Sequence, residues 1–184
     1  MITSKLSIKA LAPSLLIQRC IAGKKTAQVE LYNTYSPTMF GICLRYSNDY
    51  HSAEDLLQEG FIKAFNNIDR YKAQGSFEGW LKRIFINTAI EQYRKSKRLS
   101  FLPLEKEQQF ASQETNALDK LVVEDLLKLL QKTPYGYRTV FNLYVVEGYN
   151  HREIAELLGI SEGTSKSQLA RARSFLKELI LKQN

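Results

Sequence analysis

At 184 residues and 21.2 kDa, the chain is long enough for one ordinary domain or two small ones. Its 44% hydrophobic and 24% charged residues exclude a wholly disordered chain, a collagen-like repeat and a disulfide-rich miniprotein. The 26 Lys and Arg exceed the 19 Asp and Glu to give +7, which makes a polyanion a reasonable partner, with nucleic acid first in line.

The apolar stretch from Ala10 to Ile17 follows Lys5 and Lys9, but it is short and Pro13 interrupts it. Gln18 and Arg19 precede Cys20 where a cleavage site needs small residues, so the N-terminus reads as an unprocessed cytoplasmic start. No run reaches the roughly 20 apolar residues of a membrane span, and no membrane partner is expected. Cys20 and Cys43 sit in apolar, helix-like sequence and read as two buried free thiols rather than a disulfide. Without CxxC or CxxH spacing, neither a metal nor any other cofactor is expected.

Residues 14–98 read as several helices. Apolar residues recur at helical intervals in Leu15-Leu16-Ile17 with Ile21, then Val29, Leu31 and Tyr35, then Met39-Phe40-Ile42-Cys43-Leu44. Ser52 is the expected N-cap of the next helix, with Glu54 and Asp55 in its first turn and Leu56, Leu57, Phe61, Ala64, Phe65 and Ile68 on one stripe. Residues 71–76 contain Gly75 and no periodicity, so they form a loop. A further helix begins near Ser76 or Phe77 and ends in Arg94-Lys95-Ser96-Lys97-Arg98.

Residues 99–117 read as a linker of net charge −2, with Glu105, Glu107 and Glu114 against Lys106. Fully extended, it reaches at most about 60 Å. Helicity resumes over 118–130. The stretch 138–146 is rich in β-branched residues and ambiguous, but Thr133-Pro134 reads as a cap plus proline at the first helical position, Gly148 as a stop, and the segment is assigned to helix. The fold class is therefore all-α: two small helical domains, 14–98 and 118–182, joined by a flexible acidic linker.

Residues 151–177 have the spacing of a helix-turn-helix, whose second helix enters the major groove of DNA. His151 to Leu158 forms a short amphipathic helix, Gly159-Ile160-Ser161 the turn, and Ser161 caps a second helix from Glu162. On that second helix Leu169, Ala172, Phe175, Leu176 and Leu179 gather on one side; Lys166, Ser167, Ala170, Arg171, Arg173, Ser174 and Lys177 occupy the other. Between Gly163 and Lys177 there are four basic residues and no acid, whereas a solvated face normally mixes charges. The triplet His151-Arg152-Glu153 has no Pro-Cys-x-x-Cys partner, which argues against a zinc deaminase.

The N-terminal block adds two faces. Glu54, Asp55, Gln58 and Glu59 form an acidic edge suited to a basic protein surface. Residues 79–98 carry Lys82, Arg83, Arg94, Lys95, Lys97 and Arg98 against Glu91, with Arg83, Asn87, Ile90 and Arg94 on one stripe. Aromatic residues among these cations suit single-stranded nucleic acid; Trp80 reads as core and Tyr71 as the stacking candidate.

These segments resemble the extracytoplasmic-function group of bacterial sigma-70 transcription initiation factors. Ala53-Glu54-Asp55-Leu56-Leu57-Gln58-Glu59 with Phe61 is similar to the AEDLxQExF signature of the second conserved region. Gly79-Trp80-Leu81-Lys82-Arg83-Ile84 with Asn87-Thr88-Ala89 is similar to that region's WLxRIAxNTA signature. The run from Glu153 to Ser167, with Arg171-Ala172-Arg173, resembles the fourth region's EIAxxLgisxGTVKSRLxRAR. The chain departs from the pattern at Phe85-Ile86, where a small and a branched residue are usual, at Ser165 in place of valine, and at Gln168 in place of a base.

The resemblance implies a non-enzymatic subunit that lets core RNA polymerase recognise and open promoters. Glu54, Asp55, Gln58 and Glu59 would meet the basic coiled coil of the largest polymerase subunit. Tyr71, Lys72, Ala73, Gln74, Lys82, Arg83, Asn87 and Arg94 would act on the opened minus-ten strand, the loop and Asn87 capturing a base. Gly163, Thr164, Lys166, Ser167, Ala170, Arg171 and Arg173 would lie on the minus-thirty-five duplex. The family also raises an anti-sigma factor or a DNA-targeting accessory protein as further partners. The alternatives are a stand-alone helix-turn-helix regulator and a core-binding adaptor that reads no DNA. A phosphodiester-cleaving enzyme finds no metal-spaced carboxylate and histidine cluster.

Overall fold

The computed structural model describes residues 13–99 and 118–183, so the expectations for residues 1–12 and for most of the linker lie outside the described residues. Within them the secondary structure is helical throughout, with no strand. The N-terminal block holds α1 (Pro13–Ile21), α2 (Lys25–Tyr46), α3 (Tyr50–Asn66), a 3-10 turn (Ile68–Arg70) and α4 (Phe77–Leu99). The C-terminal block holds α5 (Leu118–Lys132), α6 (Tyr135–Phe141), a π-helical turn (Asn142–Val146), α7 (His151–Leu158) and α8 (Glu162–Gln183).

In the first block α2, α3 and α4 pack pairwise around Leu31, Met39, Leu56, Leu81 and Phe85, all buried. Each such side chain removed from water contributes about 1.5–3 kcal/mol. Cys20 and Cys43 are buried free thiols, and burial pushes the Cys43 thiol up to about 12. In the second block α6 and α7 pack on α8 around Val140, Leu143, Ile154, Leu158, Leu169 and Ala172. The two blocks share one continuous core: α5 and α6 lie against α2, and α6 and α7 against α4.

Three helix boundaries differ from the expectation. The cap of α3 is Asp49, whose carboxylate accepts from the Ser52 amide at 2.7 Å, so Ser52 is inside the helix and Glu54 and Asp55 fall past its first turn. A carboxylate is as good a cap as a hydroxyl, and the helix took the earlier one. Thr133 ends α5 rather than capping α6, because its hydroxyl donates back to the Leu129 carbonyl at 3.0 Å; Pro134 then stands at the cap position. The segment 138–146 is helical, but α6 gives way at Asn142 to a π-helical turn that ends before Gly148, whose φ is +78°. A glycine adopts that left-handed conformation without the clash a Cβ introduces.

Candidate nucleic-acid and protein interfaces

The helix-turn-helix is built from local rules. Asn150 and Glu153 form a reciprocal capping box on α7: the Glu153 amide donates to Asn150 Oδ1 at 3.0 Å, and the Asn150 amide to Glu153 Oε2 at 2.8 Å. Gly159, at φ +63°, ends α7 in the left-handed region and half-buried Ile160 packs into the angle. Ser161 Oγ then accepts from the Thr164 amide at 3.0 Å and caps α8. The wheel expected for α8 is realised: Leu169 and Ala172 are buried and Phe175, Leu176 and Leu179 half-buried, while Lys166, Ser167, Ala170, Arg171, Arg173, Ser174 and Lys177 are exposed.

At the start of that face Gly163 is exposed, and the Thr164 hydroxyl bonds Ser161 Oγ at 2.8 Å. Lys166 is 4.0 Å from Glu162, a loose pairing between exposed groups that a phosphate can displace. Arg171 donates to the Tyr137 hydroxyl at 3.3 Å, and the Arg173 guanidinium sits over Tyr144. Both cations are thus oriented by aromatic partners yet remain exposed. Ser165, the departure from valine, is fully buried and bonded to His151 Nδ1 at 2.9 Å, with Tyr144 stacked on the imidazole. A polar pair thereby replaces an apolar contact between the two helices of the motif.

The acidic edge divides in two. Glu54, Asp55 and Gln58 are exposed on α3, whereas Glu59 is half-buried and engaged by Lys63 at 2.8 Å and by Gln92 of α4 at 2.9 Å. Burial alone would raise the Glu59 carboxyl, but hydrogen bonds from Lys63 and Gln92 hold it below its ordinary range. Glu59 is therefore a clip between α3 and α4 as well as an edge residue. Ile62, 60% exposed and one turn beyond Gln58, adds an apolar member to the edge. The sequence signal was available: Ile62 is apolar but falls off the buried stripe.

In the loop, Lys72, Ala73 and Gln74 are exposed, and Ala73 and Gly75 take positive φ of 55° and 92°. Tyr71 is half-buried; its hydroxyl donates to the Gly75 carbonyl at 2.8 Å and its ring meets Phe77 and Trp80. Tyr71 and Trp80 thus share one aromatic cluster, rather than separating into a stacking residue and a core residue. Ser76 Oγ accepts from the Gly79 amide and caps α4.

On α4, Arg83 and Asn87 are exposed one turn apart, and Lys82 pairs with Glu78 at 2.8 Å. Ile90 is buried, so the exposed members of that stripe are Arg83, Asn87 and Arg94, and α6 and α7 of the second block pack against α4. Arg94 reaches that block, donating to the Glu156 carbonyl of α7 at 3.3 Å. Gln168 is half-buried against the other block and hydrogen-bonds Tyr93. Among the described residues there is no cluster of three metal-ligating side chains, and no helix long and apolar enough to cross a membrane.

The Sigma-70 region 2 family profile matches residues 31–99, and the Sigma-70 region 4 profile matches residues 124–176. The chain is 30% identical over 174 residues to the ECF RNA polymerase sigma factor SigW of Bacillus subtilis, covering 88% of this chain and 93% of that one. It is 30% identical over 160 residues to SigE of Mycolicibacterium smegmatis, where the match covers 84% of this chain but spans only 62% of the relative's length. Among solved structures, the sigma factor RpoE of Bartonella quintana, crystallised with the anti-sigma factor NepR, is similar at a TM-score of 0.50 and 25% identity, over 82% of this chain and 94% of that one. Two ordered family regions, similarity to SigW over most of both chains and the helical architecture agree, and this chain belongs to the extracytoplasmic-function group of sigma-70 factors.

Proposed function

We propose that the chain is a dissociable, non-enzymatic promoter-specificity subunit of RNA polymerase acting in the cytoplasm. Glu54, Asp55, Gln58 and Ile62 seat α3 on a basic surface of the core enzyme, with Glu59 holding that helix against α4. Lys72, Ala73, Gln74, Arg83 and Asn87 take the opened minus-ten strand. Tyr71 shapes the loop from within, and Lys82 and Arg94 supply charge to the backbone once freed from Glu78 and Glu156. Gly163, Thr164, Lys166, Ser167, Ala170, Arg171 and Arg173 lie along the minus-thirty-five major groove. An anti-sigma factor is a further partner by analogy with the Bartonella complex.

The observation that carries this reading is the outer face of α8: a capped recognition helix whose exposed side holds cations and small residues, with no acid between Gly163 and Lys177. Cations there neutralise phosphates, and small residues let the backbone approach the groove. The test is run-off transcription by purified core polymerase on genomic promoter fragments, with and without the chain. Discrete starts that depend on the chain are expected; identical transcripts in both reactions would refute the assignment.

A further inference from the structure

The cations that the chain offers to nucleic acid are held in two different ways. Lys82 pairs with Glu78 at 2.8 Å and Lys166 with Glu162 at 4.0 Å, so a phosphate must displace a carboxylate before it meets either. Arg171 and Arg173 rest instead on neutral rings that belong to neither helix of the helix-turn-helix. The Tyr137 hydroxyl of α6 accepts from Arg171 Nη1 at 3.3 Å, and the Arg171 guanidinium carbon lies 6.0 Å from the centre of that ring. Tyr144 of the π-helical turn lies under the Arg173 guanidinium at 5.9 Å. Both separations fall at the outer end of the roughly 6 Å range over which a cation is drawn to an aromatic face. Neither ring is loose. Tyr137 is half-buried; Tyr144 is stacked on His151 at 4.6 Å, and His151 Nδ1 is bonded at 2.9 Å to the buried Ser165 hydroxyl of α8. The serine that stands in place of valine thus anchors the platform beneath Arg173.

We infer that Tyr137 and Tyr144 are positioning residues for the minus-thirty-five duplex: each holds one arginine of α8 in place for DNA without neutralising its charge. The inference rests on the proposed reading of the α8 face for what the arginines meet, but not for how they are held. A guanidinium has five N–H donors, so one donation to Tyr137 leaves four for DNA. A phenol carries no charge, so the attraction of each arginine for phosphate stays whole, whereas a carboxylate in either place would compete with the phosphates. An arginine that is already ordered also has less rotamer freedom to lose when it binds. The need is greatest at Arg171. Gln168, where a base is usual, is half-buried and hydrogen-bonds Tyr93, so no cation lies between Lys166 and Arg171.

The test joins side-chain nitrogen relaxation of the free full chain to a binding cycle. Tyr137→Phe keeps the ring, removes the hydroxyl and should loosen the Arg171 guanidinium alone. Tyr144→Leu removes the ring and should loosen Arg173 alone, and Tyr144→Phe should restore it. Binding is read on two labelled duplexes of equal length: the promoter fragment with the strongest chain-dependent start, bound by the holoenzyme, and a random-sequence duplex, bound by the free chain. Tyr137→Phe should weaken binding about twofold to tenfold, the worth of one neutral hydrogen bond, with the parental salt slope because no charge is lost. In an Arg171→Ala background Tyr137→Phe should change nothing further, and Tyr144→Leu should lose its effect in an Arg173→Ala background. Guanidinium order unchanged by the tyrosine variants would overturn the inference and leave α8 as the duplex reader. So would losses that persist in full in the alanine backgrounds, as those of a folding defect do. Parental affinity for both Arg171→Ala and Arg173→Ala would overturn the duplex reading itself, and the positioning role with it.

Discussion

Gly60 is the position where the departure at Phe85 meets its neighbour. A Cβ built on Gly60 would lie 2.3 Å from Phe85 Cε1 and 2.6 Å from both Cδ1 and Cζ. The Phe85 ring is fully buried and held edge-on by Phe61 at 5.3 Å, so it has nowhere to swing. Gly60→Ala gains about 1 kcal/mol of helix propensity. Overpacking a full core costs about 1–3 kcal/mol, and three contacts this short on one confined ring place the cost at the upper end. The net expectation is a loss of about 2 kcal/mol. Because the two blocks share one core, the scaling for a 150–250-residue body applies, about 2–4 °C per kcal/mol, so the midpoint should fall by about 4–8 °C. In a Phe85→Leu background the smaller side chain vacates that space, and Gly60→Ala should become neutral or stabilising by up to about 1 kcal/mol. The assay is thermal unfolding of all four members of the cycle by circular dichroism. An unchanged or raised melting temperature for Gly60→Ala in the parent would refute the close fit of α3 on α4.

Three further outcomes follow from the site. Arg171→Ala and Lys166→Ala should each weaken duplex binding and make the slope of log affinity against log salt shallower by about 1 if the contact is to phosphate; a base contact would instead cost about 1–3 kcal/mol with relaxed specificity. Parental salt titrations for both would remove α8 as the reading face. Asp55→Lys with Gln58→Lys should abolish capture by core polymerase in a pulldown with the fold intact, since opposed like charges cost several kcal/mol, whereas Glu59→Gln should act first on stability through Lys63 and Gln92. Core capture by the double variant at the parental level would make the exposed edge a solvated face. The Ser52 amide bond lowers the Asp49 carboxyl, so its contribution is present above the unfolded value near pH 4 and is lost as pH falls through the lower folded value. Asp49→Ala should cost about 1 kcal/mol at neutral pH and flatten stability below pH 4, while Asp49→Asn should keep the cap and lose the pH dependence. Identical acid unfolding curves for all three chains would show that the cap does not titrate with folding.

The helix-turn-helix was legible because its information is local. Gly159 at the turn, Ser161 as cap and the spacing of Leu169, Ala172 and Leu176 act within a few residues of one another, and the exposed cations of α8 follow from the same periodicity. The Asn150–Glu153 capping box is equally local. The acidic edge was legible as composition, but its division was not. Glu59 differs from Asp55 and Gln58 only because Gln92, 33 residues away, lies beside it. The same limit explains the stripe broken at Ile90 and the Tyr71 ring drawn against Trp80.

The order of helices, the exposed basic face of α8 and the family signatures were determined by the sequence alone, since periodicity, caps and charge act over one or two turns. The seam between the two blocks was decided by the tertiary structure. Arg138 is one of 26 Lys and Arg residues and nothing in the sequence singles it out, yet it is fully buried, donates to Asn48 from 90 residues away, and has its guanidinium lowered to about 10 by burial. No local rule marks that residue, because the carbonyls of Leu130 and Gln131 and the amide of Asn48 converge on it only after both blocks have folded and met.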